Sequence, residues 1–132
     1  MNRKKQDMQC ADRHAASCRK TIGKVTYFNY AIHFPECNQI KIGRTSDLNR
    51  RVNEHVRLAR KLGYTKFSYA YSETQSKAVA QVTELEIRRG MRDCAIPGSC
   101  EWFSGGRGAF SSIARLTRLM QAQVSKLLAV YA

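Results

Sequence analysis

The segment Lys41-Ile42-Gly43-Arg44-Thr45 is followed at fixed spacing by Arg51 and His55. The stretch from Asp47 to Leu62 reads as one amphipathic helix. At about 100° per residue, Leu48, Val52, Val56, Leu58, Ala59 and Leu62 fill one arc. Arg50, Asn53, Glu54, Arg57, Arg60 and Lys61 fill the opposite arc. Arg51 and His55 fall inside the apolar arc, one turn apart, and so point at the rest of the fold. A cation taken out of water costs free energy unless something anionic meets it. The pair therefore calls for an anionic partner, whether a ligand or a structural carboxylate.

The charge of the whole chain points the same way. Lys and Arg number 23 against 10 Asp and Glu, a net charge of +13. Such an excess builds a long-range positive field, whose common partners are nucleic acid and anionic membrane surfaces. No apolar run reaches the roughly 18 residues of a membrane span, so nucleic acid is favoured and no membrane is expected. The basic N-terminus lacks a following apolar stretch, so no secretory signal is expected. The five cysteines, an odd number, then read as reduced thiols in a cytoplasmic setting. Cys10, His14 and Cys18 would line one helical stripe, but a structural zinc site wants four ligands. Cys94 and Cys100 flank a Pro97-Gly98 turn and read as packing or surface residues.

These residues need a scaffold, and the chain of 132 residues is long enough for one domain with a real core. Residues 1–22 carry several basic groups and few large apolar ones, and read as a basic arm; residues 23–132 read as the folded domain. Thr26 to Phe34 reads as a strand with Phe28, Tyr30, Ile32 and Phe34 on one face. Pro35 to Asn38 turns into a second, antiparallel strand, Gln39 to Arg44. The helix over 47–62 starts at two good capping residues, Ser46 and Asp47. Lys66 to Ser72 reads as a third strand and Ser76 to Asp93 as a second helix. Glu101-Trp102-Phe103 leads into a glycine-rich segment, Gly105 to Gly108, which reads as a connector. A last helix, Ser111 to Tyr131, repeats Ile113, Leu116, Met120, Val124, Leu127 and Tyr131 at helical spacing, a docking face. The class is α+β: a small, three-stranded, mostly antiparallel sheet flanked by helices. The last helix either packs within the chain or joins a homodimer.

Tyr30-Ala31-Ile32, then Lys41-Ile42-Gly43-Arg44-Thr45, then Arg51 and His55 in order resemble the GIY-YIG nuclease superfamily. The resemblance is to its phage and bacterial branch, where the second motif reads KIG. Glu84 on the second helix, followed by Glu101-Trp102-Phe103, extends the pattern, which covers residues 25–104. It implies a GIY-YIG-like fold and a DNA endonuclease that hydrolyses phosphodiester bonds. It also implies one divalent cation, magnesium (Mg2+) or manganese (Mn2+), held by Glu84. Arg51 would hold the scissile phosphate, Tyr30 would position the attacking water, and His55 would relay a proton or contact phosphate. Arg44, Arg50, Arg57, Arg60 and Lys61 would bind flanking phosphates, with affinity falling steeply in salt.

Each of these residues has a plainer reading. Tyr30 and His55 could be core residues, and Arg51 could pair with Glu84 or Glu86. Glu86 competes with Glu84, although the spacing to Ile87, Met91 and Glu101 favours Glu84. Lys41 stands where other members carry tyrosine, and Phe28 and Asn29 replace the glycine and isoleucine of the first motif. A lysine stays cationic unless desolvated, so it suits a phosphate contact better than proton transfer. The alternative function is a nucleic-acid-binding module that keeps the scaffold without cutting.

Overall fold

The computed structural model describes residues 25–99 and 101–131. Strands β1 (Tyr27–Phe34) and β2 (Gln39–Thr45) form a hairpin and lead into α1 (Leu48–Lys61). Then come β3 (Ser68–Thr74), α2 (Lys77–Gly90), a 3-10 turn (Arg92–Cys94), β4 (Trp102–Ser104) and α3 (Arg107–Tyr131). The sheet runs β3-β1-β2-β4, and every neighbouring pair is antiparallel. The expected α+β class holds, but the sheet has four strands rather than three. Three residues are too few to show alternation, and β4 exists only through its long-range pairing with Gln39, Ile40 and Lys41 of β2. The hairpin turn places Asn38 at φ 52°, a left-handed conformation that asparagine tolerates.

Central strand β1 is buried on both faces. Phe28, Tyr30, Ile32 and Phe34 pack with Leu48, Val52 and Val56 of α1. Ala31 packs on the other face with Ile40, Ile42, Ile87 and Ile113, so α2 and α3 cover that side. Each fully buried aliphatic side chain contributes about 1.5–3 kcal/mol, and these two layers hold the sheet between the helices. The Asp47 side chain caps α1 by accepting from Arg50 N–H at 3.3 Å, and Ser76 caps α2 from Val79 N–H at 3.2 Å.

Of the apolar arc expected on α1, Leu48, Val52, Val56 and Ala59 are buried, but Leu58 and Leu62 are not. Leu58 and Leu62 are 58% and 75% exposed, because the end of the helix overhangs a surface pocket instead of the sheet. Helix α3 starts at Arg107, inside the glycine-rich segment read as a connector. Its stripe docks within the chain through buried Ile113 and Val124, joined by Thr117, while Leu127 is exposed. Gln121 fixes the helix to β3, accepting from Ser72 Oγ at 2.8 Å and donating to the Glu73 carbonyl at 2.6 Å. No helix among the described residues is long and apolar enough to cross a membrane. The basic arm with its Cys10, His14 and Cys18 stripe, and Cys100, lie outside the described residues; Cys94 is exposed.

Candidate active site

A polar cleft of about 230 Å³ gathers side chains from across the fold. Tyr30 comes from β1; Lys41, Gly43 and Arg44 from β2; Arg51 and His55 from α1; Glu84 and Arg88 from α2. Glu101 joins them from the residue before β4. Strand register explains the gathering. Tyr30 lies opposite Gly43, on the face that α1 covers. Strand β4 pairs with β2 only as far as Lys41, and beyond it the β2 edge is met by single groups rather than by a strand. There the Ile42 N–H donates to the Glu101 carbonyl at 3.0 Å, and the Ile42 carbonyl accepts from Arg88 Nη2 at 3.4 Å. The cleft wraps this edge, and α2 reaches it from the opposite face.

Glycine at position 43 is a steric requirement. A Cβ there would lie 2.6 Å from Tyr30 Cζ, far inside contact distance. Tyr30 is only 3% exposed, so its ring has little room to give way. The Tyr30 hydroxyl lies 3.2 Å from His55 Nε2. Burial, then the charges of Lys41 and Arg51, push the His55 imidazole from 6.5 down to about 4. Burial pushes the Tyr30 phenol well above its ordinary value, with Arg51 pulling the other way. Both groups are therefore neutral at pH 7. In the tautomer protonated at Nδ1, the phenol donates to His55 Nε2 and the hydroxyl lone pairs stay free to accept.

Lys41 is buried and forms an ion pair with Glu101; its Nζ also sits 5.6 Å from the Trp102 ring centre. Its hydrogen bond and charge hold the Glu101 carboxyl below the usual carboxylate range, with help from Arg88. Glu84 points into the cleft, with Oε1 3.2 Å from Arg88 Nη2 and Oε2 3.9 Å from Arg44 Nε. Glu86 pairs with Arg89 at 3.6 Å and does not line the cleft, so of the two competing carboxylates only Glu84 faces it.

Arg51 is not tied to Glu84 or Glu86. Its side chain is 44% exposed and meets Glu54 at 3.2 Å, a carboxylate that Arg50 shares at the same distance. The expectation that Arg51 points into the core is thus corrected: it sits on the rim of the cleft, at the border of the two helix faces. Four basic side chains and two carboxylates line the cleft, so positive charge is in excess. The buried Nε atoms of Arg44 and Arg88 make no hydrogen bond among the described residues. Such a site suits an anion that brings several oxygens.

The five residues singled out for chemistry, Tyr30, Lys41, Arg51, His55 and Glu84, thus share one cleft. Of those singled out for flanking phosphates, Arg44 lies in the cleft, while Arg50, Arg57, Arg60 and Lys61 are exposed along α1. Sequence reasoning did not place Arg88 and Glu101 in the site. The available signal for Arg88 was its position one turn after Glu84, where oppositely charged helix residues meet. Among the described residues no group of three or more His, Cys, Asp or Glu side chains could hold a metal ion.

No curated protein and no solved structure matches the chain. A family model does, over residues 24–121, a span that holds the whole sheet and every residue of the cleft. With about three-quarters of its length matched, the chain belongs to the T5orf172 domain family.

Proposed function

We propose that the protein is a metal-dependent DNA endonuclease with a GIY-YIG-type site. The observation that carries this reading is the convergence of Tyr30, Arg51, His55 and Glu84 on one positively charged cleft. The T5orf172 domain, a phage-associated domain in the neighbourhood of the GIY-YIG and HNH-like endonucleases, supports a nuclease-like or DNA-binding module.

In this reading the scissile phosphate enters the cleft and meets the Arg51 guanidinium, with Arg44 and Arg88 beneath. The guanidiniums neutralise charge that builds on the phosphate oxygens in the transition state. Tyr30 orients the attacking water: its hydroxyl donates to His55 and accepts from the water. As the water attacks, the phosphorus–oxygen bond to the leaving nucleotide breaks. The water's proton moves to the Tyr30 oxygen, the Tyr30 proton moves to His55 Nε2, and the leaving alkoxide takes a proton from solvent. Burial, with the charge of Lys41 beside it, keeps His55 neutral and ready to accept. Arg50, Arg57, Arg60 and Lys61 bind neighbouring phosphates.

The donor chemistry fits a hard divalent cation. Glu84 Oε2 makes no hydrogen bond among the described residues, with Arg44 Nε 3.9 Å away, so it retains lone pairs for such an ion. Magnesium keeps most of its waters and is held by one or two carboxylates together with substrate phosphates. Bound there, it would supply charge neutralisation on the phosphate and acidify water. With two guanidiniums already beside Glu84, the cation and the phosphate should bind together more tightly than the cation alone.

The test is cleavage of supercoiled plasmid by the purified protein with magnesium or manganese, beside EDTA. Metal-dependent nicking is expected. Salt-sensitive DNA binding without nicking would replace this reading with the non-catalytic binding module, which the pinning of Glu84 between Arg44 and Arg88 would then explain.

Two further results are expected. With the His55 imidazole pushed from 6.5 down to about 4, kcat/KM should hold as pH falls through 6.5 and drop only as pH nears that lower value. A loss centred near 6.5 would contradict the role of His55. Gly43→Ala should push the Tyr30 hydroxyl off His55 and slow nicking by about 10²-fold, with a thermal melt showing the fold retained. Nicking at the normal rate would mean that the Tyr30–His55 contact is dispensable.

A further inference from the structure

A second cavity opens beside the cleft. Its volume is about 610 Å³, within the roughly 300–1,000 Å³ of pockets that hold small organic ligands. Phe34, Tyr64 and Trp102 give it aromatic walls, and Leu58 and Leu62 form an aliphatic lip. Those leucines are the ones that the helix leaves in solvent instead of in the core.

The two cavities share a wall. His55 lines both. Trp102 meets His55 edge-on, with ring centres 6.3 Å apart, and Lys41 stands on the cleft side of the same indole. The apolar pocket therefore begins where the positively charged cleft ends. Lys61 also lines it, and the exposed face of α1 beside it is basic. A ligand that fits both cavities carries an anionic group next to a flat, largely apolar ring. A nucleotide of a DNA strand has that shape, with its phosphate in the cleft and its base against the aromatic walls. A base inside a duplex cannot reach such a pocket; it has to be out of the stack. Aromatic walls reward that arrangement, because every base offers a π-face to stack. The basic surroundings favour nucleic acid over an apolar protein segment.

We propose that this pocket holds an unpaired nucleobase of the strand whose phosphate lies in the cleft. The substrates are then DNA with a bulged, flapped or single-stranded nucleotide beside the cut. The inference rests on the proposed function for its phosphate.

Trp102 is the only tryptophan in the chain, so its fluorescence reports on the pocket. Two duplexes with the same backbone are compared in EDTA, where no cutting occurs. One carries a single bulged adenine and the other an abasic residue in the same place. The adenine bulge is expected to bind about tenfold more tightly and to quench Trp102, whereas the abasic one should leave its emission nearly unchanged. Leu58→Phe, which extends a ring from the lip without changing charge, should collapse that preference towards unity. Equal affinity and equal emission for the two duplexes would overturn the base pocket, leave the phosphate cleft standing and assign the leucine lip to a protein partner. Binding of neither duplex would overturn the proposed function and this inference with it.

Discussion

Replacing Arg51 with alanine is expected to slow DNA cleavage by about 10²–10³-fold while lowering DNA affinity far less. The Arg51 side chain is 44% exposed and, among the described residues, held only by Glu54, which Arg50 also engages. Its removal leaves no buried charge unpaired, so the fold should survive. Arg51 is one of several cations that meet phosphate, so its share of ground-state binding is small. The salt dependence of binding should lose about one phosphate contact's worth of slope. The chemical step should suffer much more, because the charge that Arg51 faces grows as the water attacks. Arg51→Lys should recover only part of the rate: it keeps the charge but loses the planar fork that fits two phosphate oxygens. Single-turnover cleavage beside anisotropy titrations separates the two effects. An equal loss in rate and affinity would make Arg51 an ordinary phosphate contact.

Much of the site was legible in the sequence because it follows from short-range rules. Alternation along β1 puts Tyr30 on the same face as Ile32, which packs against α1, and helical spacing puts Arg51 and His55 one turn apart. Of Glu84 and Glu86, between which the sequence spacing favours Glu84, only Glu84 lines the cleft. What was not legible depends on long-range contacts. Strand β4 is defined by pairing with β2, some sixty residues earlier in the chain. Arg88 is held in the site in part by the Ile42 carbonyl, which is left for it to bond because that pairing stops at Lys41. Leu58 and Leu62 belong to the apolar arc by periodicity, but periodicity does not say where the surface under a helix ends. The misreading marked the pocket beside the cleft.

Glu84→Gln separates chemistry from binding most sharply. Glutamine keeps the shape of the side chain and an acceptor oxygen for Arg88, so the packing of α2 on β2 should stay intact. It removes one of the two negative charges lining the cleft, and phosphate should therefore bind as well as before or better. It also removes the carboxylate that would hold the cation, and a neutral amide is a poor substitute for a hard divalent ion. The most direct measurement is single-turnover nicking of supercoiled plasmid by wild type and Glu84→Gln in magnesium, with DNA affinity measured on the same samples. Nicking by Glu84→Gln should fall by about 10³-fold at equal or tighter DNA binding. Nicking at the wild-type rate, with binding intact, would contradict the role of Glu84 and move the chemistry out of this cleft.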